Sequence, residues 1–175
     1  MSAVGGSSFD KLRTSGIQKR DAQETRVNLQ YSGEEKIPAG VETVWSFVTD
    51  PEKVGHCFPD VVDVTVHDPT HLEAVVKVGV GPVRGKFKIK VELLPYPSRH
   101  HLDMKMSGGG FGSAVDLNAG ADVVDGGDGT TLLKWTGQAE ARGPIAAVGG
   151  RVLDSEARKL IEKAFGNVRR QLTTT

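Results

Sequence analysis

Residues 83–94 read VRGKFKIKVELL and carry the clearest strand pattern in the chain. Apolar side chains recur at every second position, at Phe87, Ile89, Val91 and Leu93, and the positions between them are charged or polar. Because successive strand residues point to opposite faces, one face packs in a core and the other lies in solvent. The segment therefore predicts one strand of an antiparallel sheet that is covered on a single face.

Comparable period-two patterns lie on both sides of this strand. They predict further strands over residues 27–32, 61–67, 71–80, 100–106, 113–124 and 130–141. In the second of these, Val62, Val64 and Val66 are expected on the inner face. The cluster GGDG at 126–129 predicts a hairpin turn. For SGGGFG at 107–112 we expect a bend or bulge where the sheet curls, with a gating loop as the alternative.

Three segments have helical spacing instead. Val41, Val44, Trp45 and Val48 recur at intervals of three and four, which predicts a short helix. Asp50-Pro51 ends this helix and allows a second short helical turn over residues 52–58. From Gly143-Pro144 onward, apolar residues keep a helical period for about 25 residues, so the longest helix is expected at the C-terminal end.

Composition limits the class of protein. The chain has 175 residues with 38% hydrophobic content, which is enough for one domain with a core. Its 22 basic and 22 acidic residues leave no net charge with which to hold nucleic acid. Residues 1–25 are rich in Gly, Ser and charge, so a mobile tail is predicted there, with one ligand-binding domain over residues 26–172.

Three features that the sequence lacks bear on where the protein is located. No apolar run reaches the length of a membrane span, and no secretory signal is recognisable. The only cysteine, Cys57, has no second cysteine with which to form an internal disulfide, which fits a reducing compartment. We therefore expect a soluble cytoplasmic protein.

The order of elements predicts the fold. One strand, two short helices, about six antiparallel strands and a long helix form the α+β order of the helix-grip (START-like) fold. In this fold a curved antiparallel sheet wraps around the C-terminal helix. Small inward residues, at Ala119, Ala121, Gly137 and Ala139, would leave volume between sheet and helix that a ligand could occupy.

Three segments resemble the CoxG family, which takes its name from the G subunit of carbon monoxide dehydrogenase. They are VWSFVTDPEKVGHCFPD at 44–60, VKVGVGPVRGKFKIKVEL at 76–93 and GTTLLKWTGQAEARGPIAAVGGRVLD at 129–154. The resemblance spans about residues 27 to 170, with one departure at Asp60, where the family usually has glycine. It implies an accessory protein that brings a molybdenum hydroxylase of the carbon monoxide dehydrogenase type to the inner face of the membrane. It also implies a quinone or lipid tail held in the cavity, with no tightly bound cofactor.

These expectations define two sets of site residues. The predicted cavity lining is Tyr31, Trp45, Phe58, Phe87, Ile89, Met104, Met106, Phe111, Leu117, Ala119, Ala121, Trp135, Gly137, Val148 and Val152. The predicted membrane or partner contact is the basic row Arg84, Lys86, Lys88 and Lys90, which lies on the solvent face of its strand.

An enzyme is the first alternative. HExxH, CxxC and GxSxG motifs are absent, and the consecutive residues His100 and His101 are expected to point to opposite faces of a strand. We therefore predict no catalytic residues and no metal site. A small cyclase or aromatase of the same fold would instead use buried polar groups, for which Tyr31, His100 and Asp116 are the candidates, and only Tyr31 is expected to face inward. A second alternative is a protein-docking module, which would have a filled core and an exposed apolar patch.

Overall fold

The computed structural model describes residues 25–173, so the tail predicted for residues 1–25 lies outside the described part apart from Thr25. The strands are β1 (Arg26–Ile37), β2 (Val61–Asp68), β3 (His71–Val80), β4 (Val83–Tyr96), β5 (His101–Gly110), β6 (Ser113–Gly127) and β7 (Thr130–Arg142). The helices are α1 (Val41–Val48), α2 (Pro51–Gly55), α3 (Pro144–Ala147) and α4 (Gly150–Thr173), with one 3₁₀ turn at Pro97–Arg99.

The described strands form one antiparallel sheet with the order β1-β7-β6-β5-β4-β3-β2. Hairpins join β2 through β7 in sequence, and β1 adds to the free side of β7. The two edge strands, β1 and β2, are therefore consecutive in the chain and are linked through α1 and α2. This is a seven-stranded curved sheet with a long C-terminal helix, so the predicted fold class is confirmed.

The short helices begin where the sequence indicates. Asp50 caps α2, because its carboxylate accepts from the backbone N–H of Glu52 at 3.0 Å while Pro51 occupies the first helical turn. Val44 and Phe47 of α1 are buried, as its amphipathic spacing requires. Together α1 and α2 close the end of the sheet opposite α3.

Three packed clusters make up the core of the described residues. The first surrounds Phe87 and Leu153 near the start of α4, and the second surrounds Leu72 and Leu93 beneath α1 and α2. The third surrounds Ile37. The partly buried residues Phe165, Val168 and Leu172 of α4 pack against this cluster. The helix is thus anchored by apolar contacts near both of its ends.

Two predictions about individual elements are wrong. Val62 is 47% exposed, because a bulge between Val61 and Asp63 shifts the register and leaves Val61 and Val64 facing inward. The final helix is not continuous from Pro144, because Gly149 adopts φ +100 and separates α3 from α4. Both changes arise at single residues, and a hydrophobic period in the sequence does not reveal them.

Three turns bear on the predictions: one differs, one is confirmed, and one carries the departure at Asp60. The SGGGFG segment is a tight hairpin in which Phe111 and Gly112 turn the chain from β5 into β6, rather than a bend within a strand. The predicted hairpin at 126–129 is present. Asp60 adopts φ +57, a left-handed backbone conformation that aspartate adopts more readily than most residues other than glycine.

Candidate ligand-binding site

The middle of the inner sheet face is lined by small residues. Register pairs Leu117 with Ala139 and Ala119 with Gly137, all on the face that points toward α4. These four residues are half-buried, and none of them belongs to the three packed clusters. The central strands therefore present an apolar surface that the described side chains do not fill.

Gly137 shows the free space directly. A Cβ added at this glycine would meet no atom within 4 Å. On the side of α4 that carries the buried Leu153, helical spacing places Ala157, Ile161 and Ala164, which are likewise half-buried and lie outside the clusters. The backbone of α4 comes closest to β1 and β3, on either side of the central strands. The helix thus crosses the curved sheet near β1 and β3, and we call the open space next to Gly137 the gap.

Polar side chains of β1 fasten the helix along this gap. The Tyr31 hydroxyl donates to the Asp154 carboxylate at 2.6 Å, and Arg158 binds Asp154 at 3.2 Å while lying over the Tyr31 ring. Glu35 forms an ion pair with Arg169 further along α4. Burial, and then the hydrogen bond to Asp154, raise the pKa of Tyr31 to about 12, so the phenol stays neutral.

The far end of α4 is tied to α2 instead. The Asn167 amide donates to the Cys57 backbone carbonyl at 3.0 Å, and the Gln171 amide donates to the His56 carbonyl at 3.3 Å. Polar contacts therefore hold α4 on both sides, while the apolar residues in its middle stay partly exposed.

Trp135 lies between Gly33 and Phe165 at the edge of the gap. A Cβ on Gly33 would come within 3.0 Å of the indole, and the Trp135 and Phe165 ring centroids are 5.4 Å apart. The Trp135 Nε1 is buried and donates no hydrogen bond to any described residue. An unpaired buried donor costs about 1–3 kcal/mol, so this N–H would gain from a carbonyl or ether oxygen brought within reach.

The fifteen predicted lining residues divide into three groups. Those that border the unfilled middle are Tyr31, Leu117, Ala119, Trp135 and Gly137. Those that belong to or pack against the core clusters are Trp45, Phe58, Phe87, Ile89, Met104, Met106, Ala121 and Val148. Two lie in solvent instead, Phe111 at 65% exposure because it is at a hairpin tip, and Val152 at 43% because it is on an outer side of α4.

Sequence reasoning assigned Val148 and Val152 to the helix side of the lining and missed the residues further along α4. Ala157, Ile161 and Ala164 were not among the predicted lining residues, and Asp154 was not expected to bind Tyr31. The available signal was the spacing of three and four residues that follows Leu153, which places all of them on one side of α4. That spacing identifies a face of the helix without saying which part of the face remains unpacked.

The candidate groups for an enzyme are not brought together. Tyr31 binds Asp154, His100 binds Glu42 at 3.0 Å and lies edge-on to Trp45, and Asp116 binds Arg142 at 2.8 Å on the outer sheet face. Among residues 25–173, no group of three or more His, Cys, Asp or Glu is placed to hold a metal ion. Tyr31, His100 and Asp116 thus lie in three separate places, each bound to a different partner.

Cys57 is similarly unsuited to act as a nucleophile. Its side chain is buried, and burial raises the pKa of the thiol to about 11. The thiolate is the reactive form of cysteine, and at neutral pH this group is a neutral thiol. Cys57 therefore serves as a small apolar residue under the end of α4.

His101 lies on the outer face between two carboxylates. Its Nδ1 is 2.7 Å from Asp122 and its Nε2 is 2.8 Å from Asp103, with the Tyr96 ring 5.9 Å away. The hydrogen bond to Asp122, and then the one to Asp103, raise the pKa of His101. The imidazolium is therefore the form that this site stabilises.

We expect His101 to make folding stability depend on pH. A histidine whose folded pKa is raised stabilises the native state fully below its unfolded pKa, and this contribution is lost as pH rises through the folded pKa. Between about pH 6 and pH 8, the free energy of unfolding should thus fall more steeply in the wild type than in His101→Gln. The difference between the two falls should be less than about 1 kcal/mol. Urea unfolding across this range measures the difference. Both chains retain His71, so equal slopes would show that His101 contributes nothing.

The outer sheet face is polar and carries a groove of about 510 Å³. Its lining includes His67, His71, Lys90, Lys105 and Asp116. Alongside runs the basic row Arg84, Lys86, Lys88 and Lys90, which is exposed as predicted and forms no ion pair with any described residue. The outer face is thus polar and partly basic, whereas the inner face is apolar.

Comparison with known proteins identifies the family. The profile of CoxG, the G subunit of carbon monoxide dehydrogenase, matches residues 33–173, which is most of the chain. The chain belongs to the CoxG family. The resemblance seen in the three sequence segments is therefore confirmed, and this CoxG-family chain has its unfilled inner face within the matched region.

Solved structures agree on the fold. A conserved protein from Geobacillus kaustophilus is 25% identical with a TM-score of 0.76, over 83% of this chain and 96% of the other. A START superfamily protein from Mycobacterium smegmatis is 17% identical with a TM-score of 0.65, over 83% and 97%. The Zhui aromatase/cyclase from Streptomyces sp. R1128 is 12% identical with a TM-score of 0.62, over 83% and 94%. Among curated proteins, none matches this CoxG-family chain in sequence.

None of the helices in the described part of the chain is long and apolar enough to cross a membrane.

Proposed function

We propose that this CoxG-family protein is a non-catalytic accessory protein that holds a quinone or a lipid tail between its sheet and α4. The observation that carries the proposal is the unfilled inner face at Gly137, where an added Cβ would meet nothing within 4 Å although a helix lies across the sheet. A protein with no ligand would gain stability by filling such a gap with larger side chains. Small residues at Ala119, Gly137 and Ala139 keep it open.

The chemistry of the gap favours an apolar chain with a modest polar head. Leu117, Ala139 and Ile161 offer only hydrocarbon, which suits an isoprenoid or acyl tail. The unpaired N–H of Trp135 at the edge of the gap would donate a hydrogen bond to an oxygen of the head group. A prenylated quinone combines both features in one molecule.

Family membership supports the proposed partner and location. The family is named for a subunit of carbon monoxide dehydrogenase, so the protein partner we propose is a molybdenum hydroxylase of that type. In this role the protein would act in the cytoplasm at the inner face of the membrane, without a tightly bound cofactor. The exposed row Arg84, Lys86, Lys88 and Lys90 is the proposed contact with anionic lipid or with an acidic partner surface.

Native mass spectrometry of the purified full chain tests the ligand proposal. We expect an added mass close to one equivalent, and organic extraction should release a prenylated quinone or a lipid. Protein that is purified empty should take up an added quinone with the same stoichiometry. Empty protein that takes up neither quinone nor lipid would contradict the proposal and favour the docking-module alternative, in which the protein binds a partner and no small molecule.

A further inference from the structure

One end of the molecule displays apolar side chains. This end is formed by the β3–β4 turn, the β5–β6 hairpin, α3 and the first turn of α4. Phe111 protrudes from the hairpin with 65% of its surface exposed, and Val152 of α4 is also exposed. Pro82, Pro144 and Ala147 add further exposed apolar surface. Contacts of Gly112 with Pro144 and of Gly81 with Val148 show that these elements are neighbours.

The hairpin holds Phe111 in an outward position. Phe111 adopts φ +57, an uncommon backbone conformation for a bulky residue and one that costs about 1–2 kcal/mol relative to the ordinary region. Its ring rests on Gly85, where a Cβ would come within 2.4 Å of the ring carbons. The ring is thus supported from one side and open to solvent on the other.

Three basic residues at this end form no ion pair with any residue of the described range 25–173. Arg84 and Lys86 flank Gly85, and Arg151 lies in the first turn of α4; all three are exposed. The neighbouring carboxylates Asp116 and Glu140 are already paired with Arg142. This end consequently has an excess of positive charge around an apolar tip.

We propose that this end docks on an anionic lipid bilayer, with the Phe111 ring at the boundary between head groups and acyl chains and with Arg84, Lys86 and Arg151 on lipid phosphates. An aromatic ring on a protruding tip suits a deformable lipid surface, whereas a protein partner would need a pocket to receive it. Basic residues near an anionic membrane each strengthen binding about fivefold. The biological setting of this inference rests on the proposed function. The inference adds which end of the protein meets the membrane and that the lipids there are anionic.

Vesicle flotation of the full chain tests the role of Phe111. The wild type should float with phosphatidylcholine vesicles that contain about one third phosphatidylglycerol, and not with phosphatidylcholine alone. Phe111→Asn should weaken this binding about tenfold, because burial of the ring is lost. Asparagine tolerates positive φ well, so the hairpin is retained. The matched control Tyr96→Asn removes a 40% exposed aromatic ring at the opposite end and should bind like the wild type.

Charge reversal tests the cations in the same assay. Arg84→Glu with Lys86→Glu should weaken flotation at least tenfold at low salt, while Lys163→Glu, an exposed lysine on α4, should change it little. A Phe111→Asn chain that floats like the wild type, or a wild type that binds neither vesicle, would overturn the inference.

Native mass spectrometry of the same variants separates this inference from the cavity proposal. We expect Phe111→Asn to retain its quinone or lipid, since Phe111 lies outside the gap. A wild type that retains ligand but binds no vesicle contradicts the membrane surface alone. A wild type that is empty but floats through Phe111 supports the membrane surface and contradicts the cavity proposal.

Discussion

Replacement of Gly137 by tryptophan should reduce ligand retention to below about a tenth of the wild-type level. The indole would enter the space beneath the middle of α4, which is the volume that we assign to the ligand tail. The strand should tolerate the change, because tryptophan favours extended backbone and nothing lies within 4 Å of the new Cβ. Native mass spectrometry with added quinone measures retention, and circular dichroism monitors folding.

Gly40→Trp is the matched control for this experiment. Gly40 also has no atom within 4 Å of an added Cβ, but it lies exposed at the start of α1. Retention should therefore stay near the wild-type level in this variant. Ala121→Trp is less informative, because Ala121 packs against the third core cluster and its replacement would disturb folding as well as binding. A folded Gly137→Trp chain that retains ligand normally would refute the cavity assignment.

Gly143→Ala should lower the free energy of unfolding by about 3 kcal/mol or more. Gly143 has φ +83 and ψ −156, a conformation essentially restricted to glycine. Its new Cβ would also lie 2.3 Å from the Gly112 carbonyl oxygen, a backbone atom that cannot turn away. Relief of this collision would separate α3 from the start of β6, where the Ile145 N–H donates to the buried Ser113 hydroxyl at 2.9 Å.

Gly149→Ala separates the two causes of that loss. Gly149 also has positive φ, at +100, but a Cβ there would meet no atom within 4 Å. Only backbone strain applies, so its loss of stability should be about 1–2 kcal/mol. Urea unfolding monitored by far-UV circular dichroism compares the two variants. Equal losses would mean that the contact between Gly143 and Gly112 adds nothing to the strain.

The two glycines also show why the α3–α4 region matters for the site. Gly143 fixes α3 on the sheet, and Gly149 sets the direction in which α4 leaves. From that start, Asp154 accepts a hydrogen bond from Tyr31, and Asn167 donates one to the Cys57 carbonyl. These bonds hold the helix against the margins of the sheet. The gap over Gly137 is thus a consequence of how the helix begins and where it is fastened.

Much of the fold was predictable from local pattern. Alternation through Phe87 and Leu93 identified the inner face, because the side-chain period of a strand depends only on its own backbone. The pattern failed at Val62, where a bulge added one residue, and at Gly149, where one backbone angle divided a helix. Neither event changes the apolar content of the segment, so hydrophobic periodicity does not detect it.

For the site, the sequence by itself determined which residues face inward, including Leu117, Ala119 and Gly137, and which family the chain resembles. Only the tertiary structure decided which of these inward residues are packed and which border open space. Ala121 lies against the core while Gly137, on the neighbouring strand, meets nothing, although both are small residues in similar patterns. The difference depends on sheet curvature and on contacts such as Tyr31 with Asp154, which join residues 123 positions apart. Side-chain direction is a property of the local backbone, whereas the distance between a sheet and a helix is set by the whole chain.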